Sequence, residues 1–387
     1  MILVPNIKKM KTGIISFFFL TLVRLSSENC DKIVCTFLAK SMRQLKVDTA
    51  DIDTSLCPYL KIKFVDYDYN ALHVDRQVSD IYPWMWSAKA ENPNMKVLLT
   101  FYNSVGSKNF FEMYRTPAKR LKFIPMFIQY LRKNRFDGVE VDVGMGFVRR
   151  KNIYDIERWA DFIEDLQKDL KADSRRSGKP KLLLFGRIDD RKKGVNQLYN
   201  VSRIYRHSDF VIMDAWAYYS QRLGPRYNMS ISSMHHSKVY SINNTTDDRS
   251  IDYNVNALIA KGGIKEKTII SLYLMPTFFY EYSSFTAVDF GWIKHDNYGA
   301  VCELMHKGGN ITRVFDDCPI FRQDRIVVYF DDEISIAEKV KYIIKNELAG
   351  FEILDLSADD FKGLCAKGKF PLMRAINEEC GKTLIDQ

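Results

Sequence analysis

The sequence predicts an α/β fold, a closed (β/α)8 TIM barrel with a small α+β insertion domain before the last barrel helix and strand. The first observation is that eight short, apolar, β-branched segments alternate with longer segments of helical periodicity. Eight such units in a chain of 387 residues suit a closed parallel barrel. The second observation is that the connection between the last two strands is too long for a single crossover helix.

The eight predicted strands are short and rich in Val, Ile, Leu and Phe. In order they are Lys32–Leu38, Leu60–Val65, Lys96–Tyr102, Gly138–Val143, Lys181–Phe185, Asp209–Trp216, Thr268–Met275 and Phe351–Leu356. Amphipathic helices are predicted on both sides of the fourth strand. Their apolar residues are Leu121, Ile124, Ile128 and Leu131 before it, and Trp159, Phe162, Ile163, Leu166 and Leu170 after it.

The long connection is predicted to form an α+β insertion over residues 280–345. It contains an aromatic stretch, the strand-like segment Arg325–Phe330 and a helical pattern over Ile336–Leu348. An unstructured connection of about 70 residues would be unusual inside a compact domain.

Composition indicates a globular protein. Apolar residues make up 46% and charged residues 27% of the chain, which excludes disordered and multi-span membrane proteins. The formal charge is +9, but the basic residues are spread along the sequence without a run of five or more. No RNA-binding aromatic signature occurs, so nucleic acid is not an expected partner.

The N-terminus predicts secretion. Lys8, Lys9 and Lys11 precede an apolar run over residues 13–23, which is followed by small polar residues. This order is typical of a signal peptide, here residues 1–27, and the run is too short to span a bilayer. The mature, extracellular chain is then residues 28–387. Its predicted glycosylation sites are Asn200, Asn228, Asn243, Asn244 and Asn310.

The most informative segment is the predicted fourth strand. Because side chains alternate between the faces of a strand, Val139, Val141 and Val143 should face the helices. Glu140 and Asp142 should then point into the barrel, where carboxylates are costly unless they are hydrogen-bonded. This strand is therefore the candidate site.

The segment Asp137–Gly144 resembles the signature strand of glycoside hydrolase family 18, the chitinases and chitinase-like lectins, whose pattern is DGxDxDxE. Asp137 and Asp142 match that pattern, and Glu140 stands where the family has Asp. Gly144 stands where the family has its catalytic Glu. Since glycine has no proton to donate, the resemblance implies that general acid catalysis is lost. Such catalysis contributes roughly 10²–10⁴-fold to the rate of a reaction.

The resemblance extends over about residues 34–377. The segment before the second strand and the last helix of this chain most resemble the corresponding parts of the mite group 18 chitinase-like allergens. This resemblance implies that the protein is an allergen. Other positions of the family's sugar site also differ. The family's sixth-strand Tyr-Asp pair aligns with Trp216-Ala217, and the Trp that floors the sugar site aligns with Leu354.

The loss of the family's residues at several positions of the sugar site predicts a secreted chitinase-like protein without hydrolase activity. We expect this protein to bind chitin or N-acetylglucosamine oligomers. Candidates for stacking on sugar rings are Tyr102, Trp216, Tyr218 and Phe278, which fall near predicted strand ends. Alternatively, these rings fill the top of the barrel. Two other functions remain open: a residual glycosidase, or a scaffold with a closed groove that binds host or extracellular proteins. No cofactor and no metal are predicted, because no zinc-ligand spacing occurs.

The resemblance also implies two disulfides, Cys35–Cys57 and Cys302–Cys365. Cys30, Cys318 and Cys380 then remain. The start of the first strand and the end of the last helix share the bottom face of a barrel that closes the eighth unit on the first. We therefore predict a Cys30–Cys380 disulfide and an odd thiol at Cys318.

Overall fold

The computed structural model describes residues 32–38, 45–46, 51–63, 79–102, 108–143, 153–189, 199–215, 237–240, 250–282, 289–314 and 318–381. Thirteen strands occur among these residues. The strands are β1 Lys32–Phe37, β2 Tyr59–Lys63, β3 Lys96–Tyr102, β4 Gly138–Asp142, β5 Leu183–Ile188, β6 Phe210–Asp214, β7 Thr268–Leu272, β8 Thr277–Tyr282, β9 Asp289–His295, β10 Asn310–Val314, β11 Cys318–Gln323, β12 Ile326–Tyr329 and β13 Gly350–Ile353. The α-helices are α1 Tyr82–Glu91, α2 Lys108–Tyr114, α3 Pro117–Lys133, α4 Ile153–Ser177, α5 Val201–His207, α6 Ile251–Ala260, α7 Tyr298–His306, α8 Glu333–Lys345 and α9 Pro371–Glu379.

The barrel is closed by parallel pairing in the order β1-β13-β7-β6-β5-β4-β3-β2. The predicted (β/α)8 fold is therefore confirmed. Every predicted barrel strand is present, and most ends differ by one to three residues. Strand ends shift most easily because the apolar pattern continues for a residue or two after the hydrogen-bonded ladder stops.

The barrel interior is built in layers, as the register of neighbouring strands requires. An apolar layer lies nearest the N-terminal ends of the strands, and its fully buried members are Val34, Leu98, Phe185, Ile212 and Ile269. The next layer toward the C-terminal ends is polar, because Thr36 pairs in register with Lys61, and Thr100 with Glu140. The apolar layer thus closes the bottom of the barrel and the polar layer lies beneath its mouth.

The largest apolar core lies between the strands and the helices and includes Val139, Val141 and Val143. In α3, however, the predicted apolar face is wrong at its first member, since Leu121 is 71% exposed. Arg120 is buried there instead, and its guanidinium bonds the carboxylate of Asp165 (Nε to Oδ2, 2.7 Å). A buried arginine with a partner can occupy a core-facing position, which an apolar periodicity does not reveal.

The insertion contains a five-stranded antiparallel sheet in the order β10-β11-β12-β8-β9, together with α7. It therefore runs from Thr277 to Tyr329, rather than over 280–345. Helix α8, which we assigned to the insertion, leads directly into β13 and takes the place of the seventh barrel helix. The helical pattern alone could not assign α8 to either unit, because both place an apolar helix face on a sheet.

Two disulfides have both cysteines among the described residues, and their pairing is the one that the family resemblance implies. Cys35–Cys57 joins β1 to the segment before β2, and Cys302–Cys365 joins α7 of the insertion to the segment after β13. Cys318 is a buried thiol at the start of β11. Cys380 is also disulfide-bonded, and Cys30 lies outside the described residues. Within the described ranges, no helix is long and apolar enough to cross a membrane.

Candidate functional site

Glu140 and Asp142 both point into the barrel, as the alternation in β4 predicts. Both residues are buried, while the valines on either side of them lie in the core beneath the helices. Their partners differ because Glu140 lies in the polar layer, whereas Asp142 lies one layer closer to the mouth, beside Tyr102 of β3.

The polar layer is a buried ionic network. Lys61 of β2 donates to Glu140 (Nζ to Oε2, 2.9 Å) and also to Glu352 of β13. Arg187 of β5 donates through Nη1 to both carboxylates, at 2.8 Å to Glu140 Oε1 and 2.8 Å to Glu352 Oε2. Its other terminal nitrogen, Nη2, bonds Asp214 of β6.

Three hydroxyl groups complete this network. Thr36 donates to Glu352 (2.7 Å), and Thr100 donates to Glu140 (2.7 Å). Ser271 accepts a hydrogen bond from Arg187 (3.1 Å). Each of the eight barrel strands therefore contributes one side chain. We call this set the barrel network: Thr36, Lys61, Thr100, Glu140, Arg187, Asp214, Ser271 and Glu352.

The barrel network holds its glutamates ionised. Burial opposes ionisation of Glu140, but the charges of Lys61 and Arg187 outweigh burial and lower its pKa. The same two cations lower the pKa of Glu352 against the effect of burial. Buried charges persist when they are paired and hydrogen-bonded, as both carboxylates are here.

The pKa of Asp142 shifts in the opposite direction. Its carboxylate lies 3.8 Å from Lys63 Nζ and 3.8 Å from Arg187 Nε, beyond hydrogen-bonding distance. Burial therefore raises the pKa of Asp142 to about 6, and the negative charges of Glu140 and Asp214 act in the same direction. Asp142 is the carboxyl group of this site that exchanges a proton near neutral pH.

Lys63 and Tyr102 lie beside Asp142 at the C-terminal ends of β2 and β3. The ammonium group of Lys63 is 4.5 Å from the centre of the Tyr102 ring, a cation–π contact. Burial lowers the pKa of Lys63, although Asp142 partly offsets this effect. We call Lys63, Tyr102 and Asp142 the mouth cluster. It is the part of the site nearest to solvent among the residues described.

Asp137, the first residue of the motif, lies at the other end of β4. Its Oδ2 accepts the backbone N–H of Val97 (2.8 Å) and pairs with Lys89 of α1. Gly138 is required by packing, because a Cβ there would lie 2.5 Å from the carbonyl oxygen of Leu183. The first two motif residues therefore position the strand and lie away from the site.

Several predicted site residues play other parts in this structure. Phe278 is 2% exposed and belongs to the main core, so its ring packs in the protein and offers no face to a sugar. Leu354 is likewise buried. Asn200 caps α5 by accepting the N–H of Arg203, and its amide donates to Glu157 (3.0 Å). Asn310 is exposed at the start of β10.

The remaining predicted site residues lie outside the described residues. They are Gly144, Trp216, Tyr218, Asn228, Asn243 and Asn244, so their predicted roles remain predictions. Within the described part of the chain, no three His, Cys, Asp or Glu side chains are grouped so that they could hold a metal ion.

Sequence reasoning missed Lys61, Arg187, Asp214 and Glu352. A signal was present, because Lys61 lies between Leu60 and Ile62, and Glu352 lies between Phe351 and Ile353. Such a single charge flanked by apolar residues in a predicted barrel strand indicates an inward-facing polar group, as it does in β4.

Comparison with known proteins agrees with this fold. Mouse chitotriosidase-1 is 25% identical over 93% of this chain and 80% of its own length. Human chitinase-3-like protein 2 is 25% identical over 93% of this chain and 95% of its own length. The structure of human YKL-39, described as a pseudo-chitinase with retained chitooligosaccharide binding properties, superimposes with a TM-score of 0.78. It is 25% identical and covers 91% of this chain and 100% of its own.

The family model described as glycosyl hydrolases family 18 matches residues 11–359, which is most of the sequence. That range includes the β4 motif, the barrel network and the mouth cluster. The chain belongs to glycosyl hydrolase family 18.

Proposed function

We propose that this protein is a secreted, chitinase-like lectin that binds N-acetylglucosamine oligomers without hydrolysing them. The observation that carries the proposal is Gly144, at the position where the family resemblance places the catalytic Glu. Without a proton donor at that position, the leaving oxygen of the sugar has no general acid.

Glu140 is a poor substitute for the missing acid. Its Oε1 accepts from Arg187, and its Oε2 accepts from both Lys61 and Thr100. Because these partners favour the ionised carboxylate, Glu140 has no proton to donate at neutral pH. Protonating it would leave two buried cations with weakened partners.

Retained sugar binding is supported by the family and by the mouth cluster. Human YKL-39, a pseudo-chitinase, keeps chitooligosaccharide binding. In this chain, Tyr102 supplies a half-buried ring beside the polar groups of Lys63 and Asp142 at the C-terminal ends of the strands. Ligands bind at this end of (β/α)8 barrels, and a ring next to polar groups suits the mixed surface of a sugar.

Secretion is supported by the basic and apolar N-terminal pattern and by the disulfides. Disulfides such as Cys35–Cys57 and Cys302–Cys365 are typical of proteins that fold in an oxidising compartment. The allergen role remains a prediction from the resemblance to the mite group 18 proteins.

One observation favours residual glycosidase activity as the second candidate. Asp142 keeps a proton below about pH 6 because burial raises its pKa, so the mouth cluster contains a carboxylic acid that can donate one. Its carboxyl group is part of the mouth cluster, although it stands two residues before the position of the family's acid.

Calorimetric titration with N-acetylglucosamine tetramer, together with a turnover assay on fluorogenic chitobiose and chitotriose substrates, tests the proposal. We expect binding without turnover above a heat-inactivated sample. Tyr102→Ala should weaken binding by about 1 kcal/mol, roughly fivefold, through loss of stacking. Tyr253→Ala is the matched control, because Tyr253 is 45% exposed on α6 in the outer helix layer.

Two outcomes would contradict the proposal. Turnover that disappears in Asp142→Asn would identify a residual glycosidase. Failure of the folded protein to bind the tetramer or chitin beads would favour a protein-binding scaffold with a closed groove.

A further inference from the structure

Two turns at the bottom of the barrel concentrate positive charge. The first follows α3 and the second follows α4, and each leads into a barrel strand. Residues 132–137 and 171–181 contain eight Lys or Arg and two Asp. The charges that are dispersed in the sequence are brought together here, because the C-terminal ends of neighbouring barrel helices share one face.

The two turns are joined by Arg132. Its Nε donates to Asp173 of α4 (2.9 Å), and its Nη2 donates to the carbonyl oxygen of Pro180 (2.9 Å). The side chains of the two segments therefore form one surface. We call five of its exposed cationic residues the basic patch: Lys133, Arg135, Arg175, Arg176 and Lys179.

The acids of these turns are already neutralised by other cations. Asp137 pairs with Lys89, and Asp173 pairs with Arg132 at 2.8 Å. Arg176 reaches Asp173 only at 3.5 Å, and its side chain is 78% exposed. The other four members of the basic patch have no ion pair within the described part of the chain, so their charges face solvent uncompensated.

Stabilisation of the helices accounts for only part of this charge. Cations in the last turn of a helix interact favourably with its C-terminal end, which explains Arg175 and Lys133. Arg135 and Lys179 lie beyond the helix ends. Arg135 adopts a left-handed conformation (φ 58°) at a position where Gly or Asn is usual. The positive charge of Arg135 therefore lies outside the last turn, where its interaction with the helix end is weaker.

We propose that the basic patch binds a sulfated polysaccharide, on the face opposite the mouth cluster. The guanidinium groups of Arg135, Arg175 and Arg176 match sulfate oxygens in a bidentate manner, and Lys133 and Lys179 add point charges. The exposed large apolar residues of the described chain are Leu121, Tyr154, Tyr240, Tyr253, Ile264, Ile311 and Ile334. None lies in the two turns, so the patch has no ring for stacking on bases and no apolar side chain for insertion into a bilayer.

Binding of a fluorescent heparin octasaccharide, followed by anisotropy between 50 and 200 mM NaCl, tests this proposal. Lys133, Arg135, Arg175 and Lys179 are changed together to Gln. The matched control changes four exposed cations elsewhere to Gln: Lys122, Lys307, Arg325 and Lys362. Both variants lose four positive charges, and thermal unfolding checks that each one is folded.

We expect the wild type to lose roughly 10²-fold in affinity between the two salt concentrations, through release of counterions from the polyanion. The patch variant should lose most of this binding, and the control variant should keep it. Chemically desulfated heparin should not compete, whereas N-acetylglucosamine tetramer should leave heparin binding unchanged.

Three results would overturn the proposal. An equal loss of affinity for the heparin octasaccharide in both variants would show that net charge alone attracts heparin. Equal affinity for a DNA duplex would show that the patch does not select a sulfated polysaccharide. Tight binding to phosphatidylserine vesicles that the patch variant loses would assign the patch to membranes instead.

Discussion

Glu140 and Asp142 show how two carboxylates on one strand acquire opposite properties. They are two residues apart and face the same interior, yet Glu140 has a lowered pKa and Asp142 a pKa raised to about 6. The alternation of β4 predicted both orientations. It could not predict the difference, because the cations that bond Glu140 come from β2 and β5.

The raised pKa of Asp142 predicts a specific pH dependence of stability. An unfolded Asp titrates near 3.9, so the folded state favours the uncharged form. This contribution to stability is fully present below about pH 4 and is lost as the pH rises through 6. In Asp142→Asn the group cannot ionise. The free energy of unfolding of the variant, relative to wild type, should therefore rise by about 2 kcal/mol between pH 4 and pH 7.

Urea denaturation of both proteins at pH 4, 5, 6 and 7 provides the measurement. A difference that stays constant, or that falls as the pH rises, would show that Lys63 and Arg187 keep Asp142 ionised in the folded state.

At the scale of elements, the barrel network joins all eight strands through single side chains. Every barrel strand was predicted, because an apolar pattern of five to eight residues is a local property. The network was not predicted, since only closure of the barrel brings the side chains of Lys61, Glu140, Arg187 and Glu352 within hydrogen-bonding distance of one another. The apolar face of α3 was predicted wrongly for the same reason, namely a contact between residues distant in sequence. Arg120 is buried because Asp165 of α4 accepts its hydrogen bond.

Removal of Lys61 should destabilise the barrel strongly. Lys61→Met leaves Glu140 and Glu352 buried with Arg187 as their shared cation, and we expect a loss of about 3–5 kcal/mol in the free energy of unfolding. Lys61→Met combined with Glu352→Gln should cost less than the sum of the two single changes, because the charge that loses its partner is also removed.

The matched control is Lys341→Met, whose ion pair with Glu338 is exposed and should contribute about 0.5 kcal/mol or less. Denaturant unfolding measures all four variants. A cost of Lys61→Met no larger than that of the control, or additive single changes, would contradict a coupled network.

At the scale of the molecule, closure of the barrel brings the start of β1 and the end of α9 to one face. Cys380 follows α9 and is disulfide-bonded. Closure of the eighth unit on the first is observed directly, because β13 pairs with β1 from Lys32 onward. Cys30 precedes that residue by two positions.

We therefore predict that peptide mapping without reduction will recover a Cys30–Cys380 peptide. The chain-entropy model gives such a long loop a stabilisation of up to roughly 5 kcal/mol. Cys318 is 1% exposed, so its thiol should react with alkylating reagents only after unfolding. A peptide that links Cys318 to Cys30 or Cys380 would contradict the closure argument.

The sequence by itself determined the barrel, its eight strands, and the inward direction of Glu140 and Asp142. These depend on local periodicity and on a short motif, which can be read without knowing what lies nearby. Only the tertiary structure decided that one polar residue from each strand meets in a single buried layer. The same holds for the basic patch, whose residues are about 40 positions apart in the chain but adjacent on the surface. Such contacts arise because barrel closure and parallel register bring together residues that are distant in sequence, and no local pattern encodes those distances.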